Sequence, residues 1–367
     1  MLRTSCRIAA TIQICAALLA GCQGQTKPPA DDSNTTRESL VAYRAADEMG
    51  LIQGTTVIAK ASGTYTEPSG TPLITDDGHF IFARSSPATL TTIDVQNRRV
   101  NTVPIPTAQR LGTGGGSTIV WLDGHQQVMQ LDLTKPSHGA TVRQIVDLPP
   151  LANSLIPRDP MLVAARNGTV ILARVESEPS PFGGPDTLFA IRSGSTVPLG
   201  KADTNTPVSV GAVSPDGDNY AFGLYRRSSN ACGQGAVTLV KLADRSQQTI
   251  ELNQPPSEAV GSQISKMWWP AGGPATLSYS SWNCSDMSTT VPQTVWQLAG
   301  DHLVQQSPDR ALEILNLSPH ERAIIIPEQS AQPQASGTLV IEINGKRTMI
   351  HAQVSDIAHI GAQPPHV

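Results

Sequence analysis

The chain is most informative first in what it lacks. No run of about 18 apolar residues occurs in its 367 positions, and a membrane-spanning helix needs roughly 20, so no transmembrane helix is expected. Basic residues are not in excess. Lys and Arg total 26 against 30 Asp and Glu, which argues against nucleic acid as a partner because phosphate binding needs a basic surface. Long helical periodicity is scarce, whereas Gly (30) and Pro (29) are frequent, a balance that favours strands and turns.

Catalytic signatures are missing too. No Gly-x-Ser-x-Gly elbow is present, so a propeller-capped serine peptidase has no nucleophile. His320-Glu321 has no histidine at 324, which excludes the common zinc-protease helix. The glycine-rich run Leu111–Thr118 lacks the lysine of a phosphate loop and no helix pattern follows it; it reads as a flexible link. Asp216 and Asp218 lack the ligand series of an EF-hand and read as turn residues. Trp121, Trp268 and Trp269 read as packing between blades rather than as a sugar platform. The eight histidines show no metal spacing. Neither a cofactor nor a metal is expected.

What is present starts at the N-terminus. Arg3 and Arg7 lead into an apolar run, Ile8 to Ala20, that closes on small residues before a cysteine, the pattern of a secretory signal. Leu19-Ala20-Gly21-Cys22 resembles the lipobox of bacterial lipoproteins. That resemblance implies cleavage before Cys22 and lipidation of its thiol, with residues 1–21 as signal peptide. Removing them takes away two arginines and no acid, so the mature charge is 24 − 30, or −6 with neutral histidines. Residues 22–35 are polar and read as a disordered tether, with a reach of roughly 20 Å. The expected location is a cell membrane or outer membrane, on its extracytoplasmic side. A short helix is predicted over 36–50, because Thr35-Thr36-Arg37-Glu38 fits a capping box and Gly50 fits a C-terminal stop.

The remainder, 51–367, repeats. Short turns ending in glycine or its substitute at 78, 124, 168, 217, 273 and 321 each precede an apolar strand, with spacings of 46, 44, 49, 56 and 48. A period near 45 with about four short strands is the signature of a propeller blade. Ser214-Pro215-Asp216-Gly217-Asp218-Asn219-Tyr220-Ala221-Phe222 resembles the repeat of TolB-like, WD40-like propellers. Thr75–Ala83 and Ser318–Ile326 match it less fully. The resemblance covers roughly 70–350. It implies an all-β propeller, often an interaction platform in the cell envelope, and carries over no catalytic residue. Seven blades are favoured over six, with 356–360 and 55–59 from the two chain ends sharing the last.

Cys6 and Cys15 leave with the signal, and Cys22 takes the lipid. Cys232 and Cys284 follow the second strands of adjacent blades, where equivalent loops lie side by side, so a Cys232–Cys284 disulfide is expected in an exported protein. Loops after the second strand are long in four consecutive blades, about 176–186, 226–235, 280–292 and 328–337. Phe182, Tyr225, Arg226, Arg227 and Trp282 on that face are residue types that anchor interfaces; the alternative is that they pack beneath the loops. The expected function is a noncatalytic, membrane-anchored module that binds an envelope protein or peptide. The alternative is a propeller hydrolase or lactonase whose acidic ligands converge on the central channel; three or more carboxylate, histidine or asparagine groups aimed at one point would favour it.

Overall fold

A computed structural model describes residues 39–107, 110–124, 126–151, 159–176, 180–227, 232–252, 259–328 and 334–361. Cys22, the signal run and the tether lie outside them. The described residues form β-strands and turns, with one short 3-10 turn at Pro136–His138 and no α-helix among them.

Strands pair antiparallel with their sequence neighbours, in groups of four. Four groups are separate sheets. One of these runs Gly211–Val213, Asn219–Arg227, Gly233–Lys241 and Gln247–Glu251. The group at Phe80–Ser86 has three strands plus a bridge from Ile74 to Ile81. A seven-stranded sheet contains the first and the last described strands, and it divides along the long strand Lys346–Ile360. Residues 346–351 pair with Leu339–Ile343, while residues 354–360 pair with Leu40–Ala45, Val354 also meeting Gly337. Gln353 takes a positive φ of 55° at the change. One strand thus ends one group and opens the next, and the described strands fall into seven groups. This is a β-propeller: the first and last described strands share a group, which closes the ring.

The predicted helix over 36–50 is corrected. Leu40–Ala45 and Glu48–Gln53 are a strand pair. Residues 36–38 lie outside the described set. Val41, Tyr43 and Ala45 enter one apolar cluster and Ala42, Met49 and Leu51 another, an alternation only a strand supplies. Gly50 is no helix stop. It sits opposite Tyr43, and a Cβ there would stand 2.6 Å from the ring. Tertiary packing outweighed a local capping signal. The propeller therefore begins at about residue 40, not 51.

The recurring turn has a defined chemistry. In Ser214–Asn219 the Ser214 hydroxyl donates to the Asp216 carboxylate, which accepts the Asp218 N–H at 2.9 Å, and Asn219 N–H donates to Ser214 Oγ at 2.9 Å. Thr75–Phe80 repeats the arrangement: Thr75 Oγ1 to Asp77 at 2.7 Å, His79 N–H to Asp77 at 3.1 Å and Phe80 N–H to Thr75 Oγ1 at 3.1 Å. Gly78 and Gly217 take φ of +71° and +76°, values that suit glycine. One turn was misplaced by the spacing. Asp123-Gly124 lies after the second strand of its group, Thr118–Leu122, and the inner turn there is the glycine run at 114–117. That run joins Gly112–Thr113 to its partner strand, so it is a tight turn, not a flexible link.

Candidate functional site: the central cavity and the loop face

Inner strands surround a cavity of about 840 Å³. Its walls come from every group: Leu73, Thr113, Ala165, Ala212, Met267, Ile314 and Ile357 all line it. Two ends follow from strand direction. The turns after the inner strands form one face, here the turn face. The loops after the second strands form the opposite face, the loop face.

The cavity is stoppered towards the loop face by residues 69–71. Ser69 Oγ donates to the Ser265 carbonyl at 3.1 Å. Gly70 has φ +82°, and a Cβ there would be 3.4 Å from the Gly211 carbonyl oxygen. Thr71 O accepts from Arg44 Nη2 at 3.2 Å. Further back, Glu67, whose carboxylate is fully buried, is gripped by Arg84 at 2.7 Å.

Above the stopper lies a buried ion quartet. Asp356 accepts from Arg44 at 2.6 Å and from Lys266 at 2.7 Å, and Lys266 also meets the Glu313 carboxylate. Ser355 Oγ donates to Asp356 at 2.6 Å, and the Ser355 carbonyl accepts from Lys266 Nζ at 2.8 Å. Two cations face two anions. Burial would raise the Asp356 carboxyl, but Arg44 and Lys266 outweigh it and hold the group well below the usual carboxylate range. Burial would lower Lys266, yet Asp356 and Glu313 carry it above its ordinary value. For Glu313 burial prevails over Lys266 and the carboxyl is pushed up.

At the turn face the mouth is braced by Asp76, which accepts from Thr113 Oγ1 at 2.8 Å, Gly115 N–H at 2.8 Å and Asn167 N–H at 3.0 Å. The Arg166 guanidinium stands 3.7 Å from Asp76 and donates to the Trp269 carbonyl at 2.7 Å. Thus a carboxylate already occupies the glycine run that resembled a phosphate loop. Trp121 is a core residue, but Trp268 and Trp269 are only half-buried and line the mouth. The packing reading holds for all three, since Trp268 and Trp269 also pack against apolar clusters; what it left out is that these two line the mouth as well. Adjacent bulky residues at a strand end carry no signal of which way a ring opens.

Among the described residues two carboxylates, Asp356 and Glu313, converge deep in the channel, and both are already paired with cations. Among the described residues no cluster of three His, Cys, Asp or Glu has the geometry to hold a metal.

The loop face separates the five residues that sequence placed there. Cys232 and Cys284 are joined, with Cα atoms 5.6 Å apart, inside the usual range. Trp282 is buried beside this bridge: a Cβ on Gly261 would lie 2.6 Å from its Nε1 and 2.8 Å from Cys232 Sγ. Arg226 is tied to Asp203 and Glu251, each at 2.7 Å. Burial would lower its basicity, but these carboxylates raise it. Tyr225 is half-buried, its carbonyl accepting from Thr204 and Thr206 at 2.8 and 2.6 Å. Arg227 is exposed and lies over the Phe182 ring, 5.2 Å from its centroid, a cation–π contact. Arg227 is thus the exposed member of the five, with the half-buried Phe182 ring beneath it.

The first described strand, Leu40–Ala45, starts at the opposite face. Leu40 pairs with Ile360, and Gly78, in a turn-face turn, would place a Cβ 3.5 Å from Ile360 Cγ2.

A scan against protein-family models finds no match, and a search of curated proteins finds none either. Solved structures with a similar course of chain include dihydro-heme d1 dehydrogenase NirN, 13% identical, TM-score 0.49, covering 92% of this chain and 78% of that one. An oligogalacturonate lyase in complex with manganese is 12% identical, TM-score 0.49, covering 86% and 84%. Hydrazine synthase of Kuenenia stuttgartiensis is 12% identical, TM-score 0.45, covering 77% and 80%. The propeller assignment stands on the strand pairing itself.

Proposed function

We propose that this protein is a membrane-anchored, extracytoplasmic β-propeller that binds an envelope protein or peptide on its loop face and catalyses no reaction. The observation that carries the noncatalytic reading is the charge pairing in the channel. Asp356 and Glu313 face Lys266 and Arg44, so neither acid is free to act as a base or metal ligand on a substrate.

The anchor reading rests on Leu19-Ala20-Gly21-Cys22. Phe182 and Arg227 stand on the loop face, opposite the end at which the first described strand, Leu40–Ala45, starts. A rigid scaffold with long loops at one end is where binding usually resides.

Detergent-phase partition of the full chain tests the anchor. The native protein is expected in the detergent phase, and the Cys22→Ser variant in the aqueous phase. A native protein found in the aqueous phase, with the Cys22 thiol free by mass spectrometry, overturns the reading.

A further inference from the structure

We propose that the open mouth of the channel, at the turn face, is a binding site for an uncharged, polyhydroxylated ring ligand, a neutral saccharide. The proposal goes beyond the docking reading and rests on the channel alone, so a failed protein pull-down leaves it standing.

Four observations lead there. First, the space is a cup with a floor: a cavity of about 840 Å³ stoppered by residues 69–71 at one end, within the size range of small-molecule sites. Second, its cations are spent and its carboxylates are taken up. Arg44 and Lys266 match Asp356 and Glu313, and Arg166 faces Asp76. Asp77 accepts from Ser117 Oγ, Thr75 Oγ1 and the His79 N–H, while burial pushes His359 towards its neutral form. An anionic ligand would leave water and find no unpaired cation in the lining, and a cationic one would meet a carboxylate already holding three donors, a costly exchange.

Third, the mouth offers aromatic surface. Trp268 and Trp269 are both half-buried and both line the cavity. Trp269 is fixed by its Nε1, which donates to the Gly273 carbonyl at 2.8 Å. The C–H face of a sugar ring is apolar and suits such a wall, because an indole combines a large apolar surface with one polar edge. Fourth, neutral hydrogen-bonding groups stand beside the indoles. Gln297, Gln306 and Asn316 line the cavity, and the Gln306 side-chain oxygen is buried without a partner. An unmatched acceptor is unfavourable. Rotation about its broad terminal torsion turns the amide to the cavity, where a ligand hydroxyl satisfies it.

Isothermal titration calorimetry on the full-length protein in detergent tests this with four probes: maltotriose and triacetylchitotriose as neutral trisaccharides, trigalacturonate and deacetylated chitotriose as charged ones. At least one neutral trisaccharide should bind at one site per chain, and the charged ones about tenfold more weakly or not at all. Gln306→Ala and Trp269→Phe should each weaken binding roughly fivefold, the scale of a lost hydrogen bond or trimmed contact; Gln306→Ala should keep the urea midpoint, while Trp269→Phe, which also loses the bond to Gly273, should lower it modestly and still fold. Both variants are made because Trp269 also packs against its neighbours. Absence of neutral binding at millimolar concentration, equal or tighter binding of a charged probe, or wild-type affinity in both variants overturns the proposal.

Discussion

Asp356 carries the most demanding prediction. It is the shared anion of two buried cations, accepting Arg44 through Nη2 at 2.6 Å and Nε at 3.1 Å, and Lys266 at 2.7 Å. In the native protein the quartet sums to zero. Asp356→Asn keeps the shape and removes the charge, leaving Arg44 and Lys266 against Glu313 alone. A buried charge deprived of its partner costs about 3–5 kcal/mol, so D356N should lose that much unfolding free energy at pH 7. Removing a cation and an anion together is different. Lys266→Met with Glu313→Gln leaves the Arg44–Asp356 pair intact and strands no charge, and such neutral replacements are often nearly free. The double variant should therefore fall by less than about 1.5 kcal/mol. Urea unfolding followed by tryptophan fluorescence measures both, provided the slopes stay equal. The pH dependence adds a check of sign. The Asp356 carboxyl is depressed in the folded state, so its contribution is in place above the ordinary carboxylate value near 3.9 and is lost as pH falls through its lower folded value. The gap between wild type and D356N should hold from pH 7 to about 5 and close only in stronger acid. A D356N protein within about 1 kcal/mol of wild type, or one less damaged than the double variant, would refute the charge accounting.

Other outcomes follow from the same geometry. Reducing the Cys232–Cys284 bridge frees a loop of sequence separation 52, and Cys284→Ser should lower stability by up to about 4 kcal/mol on the chain-entropy estimate, read as a shift in urea midpoint that reductant reproduces in the wild type. Gly337→Ala should destabilise by roughly 1–3 kcal/mol, since a Cβ there would strike the Ile326 carbonyl; an unchanged thermal midpoint would show that the strand yields freely. Trp282→Ala should lower stability rather than partner recovery, because the ring is buried. A Phe182→Ala/Arg227→Ala double variant should keep its urea midpoint and lose the partner in a pull-down; retained recovery would exclude that patch.

How far the sequence could be read depended on the kind of signal. The turns Thr75–Phe80 and Ser214–Asn219 were legible because hydroxyl, carboxylate and glycine act within six residues. The closing group was legible in part: 356–360 was placed as its inner strand, with 55–59 from the N-terminal side completing it. Leu40–Gln53 was lost to a capping pattern, because what makes it a strand pair is contact with residues more than 300 positions away. Arg44 meeting Asp356 is the sharpest case. The turn at Asp123-Gly124 shows another limit, since a turn sequence does not say which strand of a blade it follows. At the loop face the disulfide was foreseen, because adjacent blades bring equivalent loops together. The division of its five candidate residues was not. Trp282 turns inward, Arg226 finds Asp203 and Glu251, Tyr225 is half-buried, and Arg227 is the exposed one of the five, lying over the Phe182 ring; these are matters of side-chain direction, which residue type does not encode. The ion quartet draws one member each from four distant segments, none unusual by itself, and it left no mark that a single sequence could show.

The proposed function is that of an anchored propeller that engages its partner through the loop face. Site-specific photo-crosslinking in intact cells tests this most directly, with a photoreactive residue placed at Phe182 on the loop face and, for comparison, at Lys346 on the turn face. Discrete protein adducts from position 182, recovered with membranes and missing from position 346, are predicted. Adducts from 346 alone, or none from 182 while the protein is folded and membrane-bound, would contradict it.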